Sequence, residues 1–180
     1  HCLLRRQRQM CIRDSLIREP TAPHYIELAK RALELCQEAV SETNSDTLIP
    51  GCYPPIHVTF RPDLSASGKP LRHFYKSLGE VYKDNVDVII CETMASIYEG
   101  ITSATMAKNY SPRVWLSWTT RGNKLNRLPS TELLEDAISK GSELDIECQL
   151  VNCVHADTAS KAIIKLKDQN KFGIYANSSI

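Results

Sequence analysis

No apolar run in this 180-residue chain approaches the roughly 18 residues that a membrane-spanning helix needs. A secretory signal is missing as well, because Leu3-Leu4 is followed at once by Arg5, Arg6 and Arg8. Neither charge is in surplus: a net charge of +1 argues against a broadly basic surface for nucleic acid. No Cys-x-x-Cys pair occurs, which excludes a self-contained zinc ribbon, and there is no internal repeat. These absences lead us to expect a soluble, cytoplasmic protein with neither nucleic acid nor membrane among its partners.

What is present is an ordinary globular composition, 42% hydrophobic and 24% charged, long enough for a single domain with a core. Seven cysteines stand at positions 2, 11, 36, 52, 91, 148 and 153. Their odd number, irregular spacing and lack of an export signal argue against a disulfide framework. Cys36, on a helical apolar stripe, and Cys91, in an apolar run, read as packed thiols.

Residues 1–15 fit nothing that follows. Arg5, Arg6, Arg8 and Arg13 stand among glutamines and cysteines with no helical stripe, so the tract reads as a non-native or disordered tail. The alternative is a basic arm or an organellar presequence. Residues 16–180 then form one domain. Ile26, Ala29, Leu33, Cys36 and Val40 recur at three- and four-residue steps, which predicts an amphipathic helix from Pro23 to Ser41. Leu48 to Gly51 enters a short strand. Pro54, Pro55 and Pro62 then make the segment from Cys52 to Gly68 a shaped loop.

From there the pattern alternates. Helices are expected over 70–83, 95–108, 130–140 and 158–168, the third capped by Ser130 or Thr131. Between them lie the apolar strands 86–91, 113–118, 148–152 and 172–176. Strands apolar on both faces and spaced by helices mean βαβ units and a parallel sheet. The class is α/β, and five strands fit either an open sheet or part of an eight-stranded βα barrel, which typically takes about 250 residues.

The chemistry-bearing residues stand at strand ends. Val151-Asn152-Cys153 closes the run Ile146 to Leu150 with a thiol, just before His155, Asp157 and a helix. Carboxyl ends of strands are where βα barrels and open α/β sheets place their reactive groups. Asp87-Val88-Ile89-Ile90-Cys91-Glu92-Thr93, Trp115-Leu116-Ser117 and Tyr175-Ala176-Asn177 end in the same way, with Glu92, Thr93, Ser117 and Asn177 at or near the rim. Upstream lie Gly51-Cys52-Tyr53-Pro54-Pro55-Ile56 and Phe60-Arg61-Pro62-Asp63-Leu64.

In that order and at that spacing, the segments from about Ile49 to Ile180 resemble the homocysteine S-methyltransferase family. The family's more usual forms of the upstream pair are Gly-Ser-Leu-Pro-Pro and Tyr-Arg-Pro-Asp-Leu, so Cys52, Tyr53 and Phe60 are departures. The resemblance implies a (β/α)8 TIM-type barrel of which this chain holds about five parallel strands with outer helices. It implies methyl transfer to homocysteine, giving methionine, from an activated donor of the S-methylmethionine or S-adenosylmethionine type.

It also implies zinc. Cys153 corresponds to one of three thiolates that hold the ion, leaving the fourth tetrahedral position for the homocysteine sulfur, whose thiolate form the metal favours. The other two thiolates come from a Cys-Cys pair on the eighth strand, which this sequence lacks. By the same resemblance Glu92 holds the substrate's amino group; Thr93, Ser117, Asn152 and Asn177, from their places at strand ends, are the further expected substrate-binding residues, with simple capping the alternative for Thr93, Ser117 and Asn177. The plainer readings are a packed thiol for Cys153, a solvated helix-start residue for Glu92 and a helix start for His155. Arg61 with Asp63 reads as a loop-stabilising pair, and Trp115 and Trp118 as packing between barrel and helices, Trp118 being the better candidate for a pocket wall.

Two further function readings stand beside this one, the first from the missing pair and the second from fold analogy alone. One is a non-catalytic remnant that binds no metal; the other is a metal-free barrel enzyme with Glu92 as its base. Exposed sheet edges and a single family thiolate lead us to expect a chain that self-associates, carries far less than one zinc and forms no methionine.

Overall fold

The computed structural model describes residues 24–44, 46–56, 67–121, 126–169 and 171–177. The amino-terminal tail, with Cys2 and Cys11, and Phe60, Arg61 and Asp63 of the proline loop lie outside them. The chain divides into two compact units, one to Ile49 and one from Pro50 onward.

In the first unit, helix α1 (Tyr25–Thr43) forms where the three- and four-residue apolar steps predict it. Asn44 ends it in the left-handed region at φ 45°, where a short polar side chain is tolerated. Ala29 is its one buried residue, and Cys36 is exposed rather than packed. The stripe at Cys36 is periodic but uncovered, which periodicity alone does not reveal.

The second unit alternates strictly: β1 (Pro50–Tyr53), α2 (Gly68–Tyr82), β2 (Val88–Met94), α3 (Ile97–Ala107), β3 (Val114–Trp118), α4 (Leu134–Ser142), β4 (Cys148–His155), α5 (Ala156–Leu166) and β5 (Phe172–Asn177). All four strand pairings are parallel, in the order β1-β2-β3-β4-β5. Each strand therefore lies beside its predecessor. Right-handed crossovers, the rule for βαβ units, then place every helix on one face of the sheet. A doubly wound sheet would reverse its strand order; this one does not.

The opposite face is concave. Side chains on β2 reach over β3 to β4 and over two strands to β5, with Asn152 Nδ2 donating to Thr93 Oγ1 at 2.7 Å and the Tyr175 hydroxyl donating to Glu92 Oε1 at 3.1 Å. A flat sheet spaces neighbouring strands about 4.8 Å apart, too far for such second- and third-neighbour contacts. The fold is a five-stranded arc of a (β/α)8 barrel.

The helix-facing layer is packed to contact. Leu71, Tyr75 and Leu78 of α2, Ala104 and Ala107 of α3, and Leu134 and Ala137 of α4 are buried with Ile89, Leu116 and Val151 of the strands. Trp118 belongs to this layer and not to a pocket wall: a Cβ built on Gly100 of α3 would lie 2.4 Å from its ring. Its indole Nε1 donates to Gln149 Oε1 at 2.9 Å. Burial pushes the Cys91 thiol up to about 12, as expected of a packed cysteine.

Helix α4 begins later than its sequence suggests. Ser130 and Thr131 do not cap it; Leu133 is the N-cap, and Thr131 sits in a turn at φ 78°. The Ser130 hydroxyl instead donates to Glu132, whose Oε2 also accepts from Ile97 N at the start of α3.

Candidate active site at the carboxyl rim

Two non-glycine residues in the left-handed backbone region organise the rim. Thr93 lies at φ 62° on β2 and Cys153 at φ 53° on β4. At each the parallel register slips, between Cys91 and Met94 on one strand and between Asn152 and His155 on the other. Regular strands send successive side chains to opposite faces. A bulge breaks that alternation, so Glu92 and Thr93 both meet groups on the concave side, as do Asn152 and Cys153. Left-handed backbone is uncommon for threonine and is a conformation that functional sites tend to hold.

The side chains so aimed form two adjacent hydrogen-bonded groups that together draw on all five strands. Ser117 Oγ donates to Asn152 Oδ1 at 2.7 Å, Asn152 Nδ2 donates to Thr93 Oγ1, and Thr93 Oγ1 donates to Cys153 Sγ at 3.6 Å. On the other side of Thr93, Glu92 accepts at Oε1 from Tyr175 and at Oε2 from Cys52 Sγ, the latter at 3.2 Å. Tyr175 is half-buried as a residue, but its hydroxyl lies against buried Glu92. Burial first, and the Glu92 charge second, hold that phenol well above its usual range, so it remains a donor.

Glu92 is only 5% exposed, and α3 starts five residues later at Ile97, so it is not a solvated helix-start residue. Among the described residues no lysine, arginine or histidine forms an ion pair with it. A buried carboxylate with neutral donors alone is poised for a cation. Thr119 and Thr120 follow β3 at the same end, each buried with a hydroxyl that has no hydrogen-bond partner among the described residues.

The remaining expected site residues are placed as follows. Asn177 ends β5, its backbone paired in register with His155. His155 caps α5, its Nδ1 accepting from Asp157 N at 3.3 Å. Glu99 of α3 holds the start of the proline loop, accepting from Ile56 N at 2.9 Å.

For zinc, the described residues contain no group of three histidines, cysteines or acids able to hold a metal ion. Cys153 presents one sulfur at the rim. The residues present therefore do not make a zinc site by themselves.

The sequence reading passed over Cys52 and Tyr175 as site residues. Tyr175 was within its reach: a strand's two-residue period puts positions 175 and 177 on one face, so naming Asn177 implied Tyr175 too. Cys52 carried no such signal, because its partner Glu92 sits 40 residues away.

Residues 13–180 match the family model described as homocysteine S-methyltransferase. No curated protein matches the chain. Among solved structures, it is similar to the homocysteine methyltransferase MmuM from Escherichia coli in three forms. The apo form is 21% identical with a TM-score of 0.71, over 87% of this chain and 62% of that one. The metallated form is 22% identical with a TM-score of 0.74, over 86% and 59%. The oxidized form is 20% identical with a TM-score of 0.72, over 85% and 57%. The chain thus spans about three fifths of the length of the solved structures it matches.

Proposed function

The chain belongs to the homocysteine S-methyltransferase family, and from that premise we propose that its rim binds homocysteine for methylation to methionine. The observation that supports this best is a buried carboxylate, without a cationic partner among the described residues, on the same rim as a thiol two strands away. Glu92 takes the ammonium group. The Asn152 network fixes Thr93, and through it Cys153, on the side where the substrate sulfur lies.

The reaction forms a carbon–sulfur bond to the homocysteine sulfur and breaks the bond between the methyl carbon and its activated donor. With a sulfonium donor of the S-methylmethionine or S-adenosylmethionine type, the leaving group departs as a neutral thioether with the bonding electron pair. The homocysteine thiol proton is released to solvent. Zinc is the expected metal, to which Cys153 would supply one ligand and whose thiolate-stabilising chemistry would favour the homocysteine sulfur as nucleophile. The other ligands would have to come from outside the described residues, so what this chain's own groups do is bind and orient the amino acid. No helix among the described residues is long and apolar enough to cross a membrane, and a cytoplasmic location suits such an enzyme.

Homocysteine affinity, measured by titration of this chain, tests the reading. Glu92→Gln keeps the side-chain shape and removes the charge. A charge-assisted hydrogen bond is worth about 1.5–3 kcal/mol, so affinity should fall roughly 10- to 150-fold. Homocysteine binding that ignores this substitution returns Glu92 to a purely structural role.

A further inference from the structure

The Glu92 carboxylate is held by two groups from outside its own strand. A carboxylate accepts through two oxygens with about four lone-pair positions. Cys52 on β1 occupies Oε2 and Tyr175 on β5 occupies Oε1, one donor to each oxygen. Both donors are neutral. They therefore fix the plane of the carboxylate without neutralising it, and the unused lone pairs remain for a positively charged group. The two strands they come from flank the arc at its opposite edges.

We propose that Tyr175 and Cys52 are positioning residues that set Glu92 for a primary ammonium, making the rim selective for α-amino thiols over thiols that lack the amino group. This rests on the reading of Glu92 as the ammonium site. Tyr175 is the stronger of the two, because a phenol is a better donor than a thiol. Neither residue touches the reacting sulfur; each acts through Glu92.

The test is calorimetric titration of the chain with homocysteine and with 4-mercaptobutanoate, which has the same carbon skeleton, thiol and carboxylate but no amino group. Losing one donor to a charged group should weaken homocysteine roughly 5- to 20-fold in Tyr175→Phe and about 3-fold in Cys52→Ala. Binding of 4-mercaptobutanoate should change by less than about 2-fold in both, since no ammonium is there to feel the carboxylate turn. Cys52→Ser, which keeps a donor at that position, should restore homocysteine affinity.

A residue that only supports the fold would weaken both ligands alike, and that result overturns the inference. Glu92→Gln separates the two levels. If it spares homocysteine binding, the ammonium site itself is wrong. If it weakens homocysteine while Tyr175→Phe and Cys52→Ala do not, the site stands and the positioning role falls. A wild-type chain that binds neither thiol overturns both.

Discussion

The sheet carries a glutamate at each end, and the two live under opposite conditions. Glu147, at the amino end just before β4, accepts from Arg113 Nε at 2.9 Å, Lys171 Nζ at 2.7 Å and the Trp115 indole at 3.0 Å. Those hydrogen bonds hold its carboxyl down at about 2, well below the ordinary 4.5. Glu92, at the carboxyl end, has two neutral donors and no cation among the described residues. One charge is answered within the chain; the other is buried and left for something else. The same contrast holds for amides. Buried Gln149 bonds to Trp118, Ile138, Ser142 and Gln169 and ties sheet to helix, whereas Asn152 bonds to the Ser117 and Thr93 hydroxyls at the rim, the second of which donates to the Cys153 thiol. Proteins complete their structural polar groups internally and leave functional ones to be completed by ligand.

The contrast is broken most severely at Gln149. Gln149→Leu keeps the volume but leaves the Trp118 Nε1–H buried without an acceptor, and a buried orphan costs about 1–3 kcal/mol with the further lost bonds added. Chemical denaturation should show a loss of about 2–4 kcal/mol. A loss under about 0.5 kcal/mol, the range of ordinary surface substitutions, would mean that this network does not carry the sheet–helix contact.

Glu147→Gln should cost less, about 1 kcal/mol at neutral pH, because its cationic partners are largely solvated. Its signature is pH dependence. The folded-state pKa is depressed, so the stabilisation is fully present above the ordinary 4.5 and is lost as pH falls towards about 2. The gap between wild type and Glu147→Gln should close over that window. A gap independent of pH would remove the ionic explanation.

The smallest effect distinguishes two left-handed residues with nearly the same φ. Asp84, in the turn before β2 at φ 60°, should accept glycine with a gain of up to about 0.5 kcal/mol. Thr93, at φ 62°, should gain nothing from glycine, because the hydroxyl between Asn152 and Cys153 goes with the side chain. Thermal melts of the two variants compare them directly, and equal gains would strip Thr93 of its network role.

How much of this was legible in the sequence follows from which interactions are local. All five strands and the helices between them emerge from apolar runs and three- and four-residue steps, with boundaries shifted by a few residues. Strand-end placement of Glu92, Ser117 and Cys153 was legible for the same reason. The bulges were not: nothing in Glu92-Thr93 or Asn152-Cys153 announces left-handed backbone, and without it consecutive residues point to opposite faces. Packing of Trp118 between barrel and helices was legible, but its ranking as the better pocket wall was not sound, because sequence does not tell the concave face from the helix face when both are apolar. Cys36 was misjudged because a stripe shows which residues align, not whether anything covers them.

The central claim is that the carboxyl rim receives an α-amino thiol with its ammonium on Glu92. A structure determined with homocysteine bound tests it most directly. The account predicts the ligand nitrogen within about 3 Å of the Glu92 carboxylate, hydrogen-bonding distance, with its sulfur turned towards Cys153. Homocysteine bound elsewhere, or bound with its nitrogen away from Glu92, would contradict it.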